Sequence, residues 1–202
     1  YWGWKNLKNV EYAGLAHYRR YFDIDINDDN VDELMKGYDM MVVKRMKTFY
    51  FAFNKGGLTY ATSQDDFWLC LDTLLYMRPE YKSEIIDYFC NNNEYTPYTM
   101  FLAKKEIYDD YCGFMFPVFF ELEKRIPEHP YSRQNRLIAY FGEWTLGLYI
   151  HCKKLKVKRV PNVMLGPECN HTPVEKFSAL KLAFKNLVCY IKYTKVLLFR
   201  KK

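Results

Sequence analysis

One imidazole and two guanidiniums fall within four residues at His17-Tyr18-Arg19-Arg20. Planar guanidinium donors match phosphate oxygens two at a time, so this block suits a phosphate. Side chains alternate along an extended segment. His17 and Arg19 are therefore expected on one face, gripping the phosphate, with Tyr18 and Arg20 on the other. Arg20 would then brace the acidic loop Asp23 to Asp29. A structural cluster of ion pairs is the competing reading of the same residues.

Further along the chain, Asp65 and Asp66 open a helical stretch, where acids commonly complement the helix dipole. Arg136 and Glu143 are two helical turns apart and share a face, either as a site wall or as separately paired charges. Asp23-Ile24-Asp25 has the Asp-x-Asp form that can hold a divalent cation, but an acidic surface loop is the favoured reading. A metal is not expected to be needed.

The elements that must position these groups follow from hydrophobic pattern. Val10 to Ala16 is a small, apolar run that reads as a buried strand delivering His17 at its carboxyl end, where open α/β sheets present ligands. Tyr1 to Leu7 reads as the last turns of a helix packed on that strand. Val31 to Lys36 reads as a short helix with Asn30 as its cap. Asp39 to Val43 is a second core strand, with Lys44 to Lys47 at its end, and Asn54 to Gly57 is a turn suited to a lid. Helical periodicity runs from Ser63 to Tyr76 and, after Pro79, to Cys90. Tyr98 to Ala103 is a third strand, its tip on the His17 side if the two strands are parallel. Lys104 to Arg125 is a long aromatic helix that Gly113 and Pro117 are expected to loosen. Another helix runs to His151, followed by an edge strand from Val157 to Pro161.

Several of these residues carry a resemblance. Trp2-Gly3-Trp4-Lys5-Asn6 followed by Gly14-Leu15-Ala16-His17-Tyr18-Arg19-Arg20-Tyr21-Phe22 resembles a bacterial family filed as a domain of unknown function (4422). Its members are regarded as glycosyltransferases of capsular and exopolysaccharide synthesis. The likeness continues through Tyr98 to Glu106, Tyr111-Cys112, Glu121 to Glu123, Arg136 and Glu143, over roughly residues 1 to 163. It departs at Thr99, where the family carries Asn; at Thr62-Ser63-Gln64, where it carries His; and at Trp144, where it carries Arg.

The resemblance implies a GT-A-like α/β fold, a mixed sheet flanked by helices, whose first βα unit would precede Tyr1. It implies transfer of a sugar from a nucleoside-diphosphate donor to a saccharide or lipid-linked acceptor. His17, Arg19 and Arg20 would bind the donor diphosphate, and Tyr18, Thr99, Met100 and Arg136 would contact substrate. Asp66 and Glu143 would be the catalytic carboxylates. No cofactor is implied beyond the nucleotide sugar, although a divalent metal would be compatible with the chemistry. The alternative is an inactive glycan-binding or assembly module of the same fold.

Composition bounds the rest. The chain has 202 residues, 50% of them hydrophobic, enough for one domain with a core. Its 19 tyrosines and 15 phenylalanines point first to core packing and second to stacking on sugars. Six scattered cysteines without a paired motif suit reduced thiols and a cytoplasmic location. Net charge is +6, and eight Lys or Arg with no acid lie between Lys176 and Lys202. Residues 1 to 173 thus read as the domain and 174 to 202 as a basic amphipathic helix, suited to an anionic membrane face or to docking on its own domain. Nucleic-acid binding is not expected, because the basicity is confined to that tail and no recognition motif appears.

Overall fold

The computed structural model describes residues 1–47, 64–90, 94–126 and 136–164. The expectations for the Asn54 to Gly57 turn, for Thr62-Ser63 and for the basic tail lie outside the described residues.

The short helix α1 (Trp2–Asn6) leads to β1 (Tyr12–Leu15) and β2 (Arg20–Phe22). Next come α2 (Val31–Met35), β3 (Met40–Val43) and β4 (Met46–Lys47). Helix α3 (Gln64–Met77) is followed by a 3-10 turn at Pro79–Tyr81 and by α4 (Lys82–Cys90). After β5 (Glu94–Tyr95) and a second 3-10 turn (Pro97–Thr99) come β6 (Phe101–Lys104) and the long α5 (Lys105–Arg125). Helix α6 (Leu137–Lys153), β7 (Val157–Val160) and β8 (Asn162–Met164) close the described chain.

Four strands form a mixed sheet in the order β1-β6-β3-β7. Strand β6 is antiparallel to both neighbours, and β3 is parallel to β7. Strand β3 is buried along its whole length, as its unbroken apolar run demands of a strand covered on both faces. Period-two alternation sorts its side chains. Met40 and Val42, with Phe101 and Ala103 of β6, face a large core built by α3, α4, α5 and α6. Met41, with Leu102 and Val160, faces a smaller core closed by Met35 of α2 and by Ile24 and Ile26.

Gly14 of β1 lies opposite Leu102 of β6. A Cβ there would sit 2.2 Å from the carbonyl oxygen of Phe101, so the two backbones meet at a distance only glycine permits.

Three expectations change. Because β1 and β6 are antiparallel, the carboxyl end of β1 meets the chain entering β6, not its tip. Helix α1 packs on α5, with Trp4 stacked on Phe116 at 5.6 Å between ring centres, instead of on the strand. Asn30 flanks α2, but its side chain bonds back to the backbone of Asn27 and Asp25 and does not cap the helix.

Helix α5 continues as one element through Gly113 and Pro117. Proline at 117 has no N–H to offer the carbonyl of Gly113 four residues earlier. Nη2 of Arg78 donates to that oxygen at 2.7 Å, and its guanidinium also reaches the Phe114 carbonyl. The side chain supplies the missing donor, and the helix survives the breaker.

Candidate functional site

Strand β2 pairs with β8, Arg20 opposite Met164, which folds the chain back immediately after β1. His17 and Arg20 form an antiparallel bridge, and Arg20 N–H donates to the His17 carbonyl at 3.1 Å. His17 to Arg20 is thus a hairpin turn, not an extended strand end. Residues flanking a two-residue turn point the same way, so Arg20, and not Arg19, shares the side of His17. The expected split is corrected accordingly. Arg20 does not brace the Asp23 to Asp29 loop. There the Asp25 carboxylate takes Asn27, and the isoleucines between the exposed acids turn into the small core.

Around this turn the contacts are dense. Nη1 of Arg20 lies 3.3 and 3.2 Å from the two ring nitrogens of His17, and the Arg19 N–H donates to Nδ1 at 3.2 Å. Burial, then the cations of Arg20 and Arg19, hold the His17 pKa below its ordinary value. The shift favours the uncharged imidazole, which accepts the Arg19 backbone N–H and lies against the Arg20 guanidinium. Tyr18 stacks on His17 and stands 73% exposed, with Arg19 hydrogen-bonded to its hydroxyl and lying over its ring.

The other side of the site comes from the chain entering β6. Tyr98 and Thr99 have positive φ values of 70° and 51°. Left-handed backbone is rare outside glycine and is least tolerated by β-branched residues. The Thr99 hydroxyl secures the distorted loop by donating to the Gly142 carbonyl of α6 at 3.2 Å. The strain sets the Tyr98 ring beneath the Arg20 guanidinium, 4.0 Å from its centre, and 6.5 Å from His17. Tyr98 belongs to the site and was read as an ordinary strand residue. Its signal was the Pro97-Tyr98-Thr99 turn ahead of β6.

Helix α6 brings the carboxylate. Glu143 is exposed on its outer side. Desolvation raises its pKa above the usual glutamate value, against the opposing pull of Arg20 and Arg136. Arg136 precedes the first residue of α6, where the helix dipole disfavours a cation. Its cation opposes the rise in the Glu143 pKa, which gives the position a reason.

Two expected residues lie elsewhere. Met100 is completely buried, so its side chain belongs beneath the surface and does not contact substrate. Asp66 sits in the first turn of α3 at 5% exposure, and its charge acts on the buried Cys70. Among the described residues no cluster of three or more His, Cys, Asp or Glu side chains is arranged to hold a metal, and no helix is long and apolar enough to cross a membrane.

A family described as a domain of unknown function, DUF4422, matches residues 1–154. The curated proteins contain no match. Among solved structures, the chain is similar to an apo structure of WbbM, a bifunctional glycosyltransferase, with a TM-score of 0.70 and 22% identity. The match covers 82% of this chain and 35% of that one, so the chain spans about a third of its length. The two chains therefore share a mixed α/β fold.

Proposed function

Because this chain belongs to the DUF4422 family, we propose that it is the GT-A-like part of a glycosyltransferase moving a sugar from a nucleoside-diphosphate donor to a saccharide or lipid-linked acceptor in surface polysaccharide synthesis. The observation that carries the reading is the convergence of His17, Arg20, Tyr98 and Glu143 from three separate segments.

Departure of a nucleoside diphosphate leaves negative charge on its terminal phosphate, which fixed cations can stabilise without reorganising. Arg20, held between an imidazole and an aromatic ring, is such a cation. Arg19, at the exposed tip, is the second. His17 positions Arg20, and Tyr18 holds the Arg19 guanidinium. Tyr18 and Tyr98 offer aromatic faces to the sugar or the base. Glu143 takes the proton from the acceptor hydroxyl as the new bond to the sugar carbon forms and the bond to the diphosphate oxygen breaks. Arg136 orients the acceptor beside Glu143, and Asp66, buried in the first turn of α3, takes no part. The working location is cytoplasmic, with the basic stretch 174 to 202 resting on the inner face of the membrane.

Turnover of radiolabelled nucleotide sugars by the full-length protein tests this reading. We expect sugar transfer, or slow donor hydrolysis, that persists in EDTA. Activity that collapses in EDTA and returns with manganese would replace fixed cations by a metal. Donor binding without turnover would favour the inactive module of the same fold.

A further inference from the structure

An apolar pocket adjoins the segments that form the candidate site. It occupies about 160 Å³ between β1, the chain entering β6, α5 and α6. Its floor is buried and consists of Phe101 of β6 with Tyr111, Cys112 and Met115 of α5. Its lip is formed by Leu15 and Tyr1, which are 53% and 56% exposed.

The polar atoms of the inner walls bond within the protein. The Thr145 hydroxyl donates its one proton to the Gly142 carbonyl at 2.7 Å, so the Tyr111 hydroxyl, 3.3 Å away, must donate to Thr145. The Thr99 hydroxyl donates to the same Gly142 carbonyl at 3.2 Å, and the Tyr108 hydroxyl is hydrogen-bonded to the Cys112 thiol. What these walls offer an occupant is therefore carbon. An apolar cavity of about 150 Å³ stays dry and takes a ring of about six carbons, so this pocket suits a hydrocarbon of that size.

The position of the pocket gives that hydrocarbon a source. Leu15 stands two residues before His17, Thr99 follows Tyr98, and Gly142 precedes Glu143. Each of the three segments that converge at the candidate site thus also supplies a wall of the pocket. Its occupant is then part of a molecule held at that site. A nucleoside-diphosphate sugar carries no hydrocarbon chain, which leaves the acceptor.

We propose that this pocket takes the hydrocarbon of an amphiphilic acceptor, an alkyl or isoprenoid chain joined to the reacting sugar. Because a wall of the pocket and the candidate base are consecutive residues, no long glycan separates that chain from the reacting hydroxyl. The inference rests on the transfer reaction proposed above and selects the lipid-linked one of its two acceptor classes.

Titration of the full chain with n-alkyl β-glucosides, below their micelle concentrations and followed by ligand NMR, tests it. Affinity should rise by about 2–4-fold per carbon from methyl to hexyl as apolar surface is buried, and level off at octyl. Leu15→Gln changes an exposed residue of the lip and should weaken hexyl glucoside by about 3–10-fold while leaving methyl glucoside unchanged. A Cβ at Gly142 would meet only the Phe119 ring within 4 Å, at 3.8 Å, so Gly142→Ala fits and should make the affinity level off about one carbon earlier. Equal affinity for methyl and hexyl glucoside, no binding of hexyl glucoside, or a gain that ignores both substitutions would each overturn the proposal. Sugar transfer to a soluble saccharide with no gain from an alkyl chain would also overturn it and leave the proposed reaction standing. Chain-dependent binding without transfer to any acceptor would uphold the hydrocarbon site and remove the reaction.

Discussion

The Arg20 guanidinium lies 4.0 Å above the centre of the Tyr98 ring, joining the turn after β1 to the strained loop before β6. A cation over an aromatic face is stabilised by about 0.5–2 kcal/mol. If this contact presents Arg20 to a diphosphate, Tyr98→Ala should weaken nucleoside-diphosphate binding by roughly 2–30-fold, and Tyr98→Phe should preserve it. Calorimetry with the nucleotide alone measures this. Wild-type affinity in Tyr98→Ala would remove the ring from the site.

Glu143 should set the acidic limb of the rate profile. Its raised pKa means that the base is lost, as pH falls, at a higher value than an ordinary glutamate would give. Arg136→Gln removes one of the cations that lower this pKa, so the limb should move further up. Glu143→Gln should reduce kcat by about 10²–10⁴-fold, the usual worth of a general base. Profiles of kcat/KM for the wild type and Arg136→Gln that superimpose would dissociate Glu143 from proton transfer.

Much of this architecture was legible because it is written in local pattern. Met40 to Val43 announces a doubly covered strand by its continuous apolar run. The pairing of His17 with Arg20 was not legible. It depends on β8 closing against β2 from the far end of the described chain, and without that pairing the residues after Leu15 read as extended. Tyr98 escaped for a related reason. Left-handed backbone is expected at glycine or asparagine, and here tertiary anchoring of Thr99 on Gly142 imposes it on two residues that disfavour it.

Arg78 and Pro117 should be energetically coupled. Arg78→Met leaves the Gly113 carbonyl without the donor that Pro117 cannot supply, a loss of about 1–3 kcal/mol. In a Pro117→Ala background the residue 117 N–H returns to that carbonyl, and the cost of Arg78→Met should shrink by about 1 kcal/mol. Urea unfolding of the four proteins in the cycle measures the difference. Strictly additive effects would contradict the brace.

Asp110 predicts an acid dependence of stability. Burial alone would raise its pKa, but hydrogen bonds from Tyr149 at 2.7 Å and from Lys153 overcome it and hold the value below 3.8. A carboxylate depressed in this way contributes stability above its unfolded value and loses it as pH falls through the folded one. The stability gap between wild type and Asp110→Asn should therefore be level near neutrality and close below about pH 4. Because the aspartate side chain is half exposed, salt should narrow the gap. Urea midpoints across this range would show it, and a gap independent of pH would refute it.

Gly14 has a wider consequence. Where it faces Leu102, main chain abuts main chain with no side chain to act as a spacer. The span between the hairpin carrying Arg20 and the loop carrying Tyr98 is therefore gauged by peptide geometry, which does not drift as core residues exchange. Substitutions can accumulate in the surrounding core without altering that measure, whereas a single methyl at position 14 would prise the two halves apart.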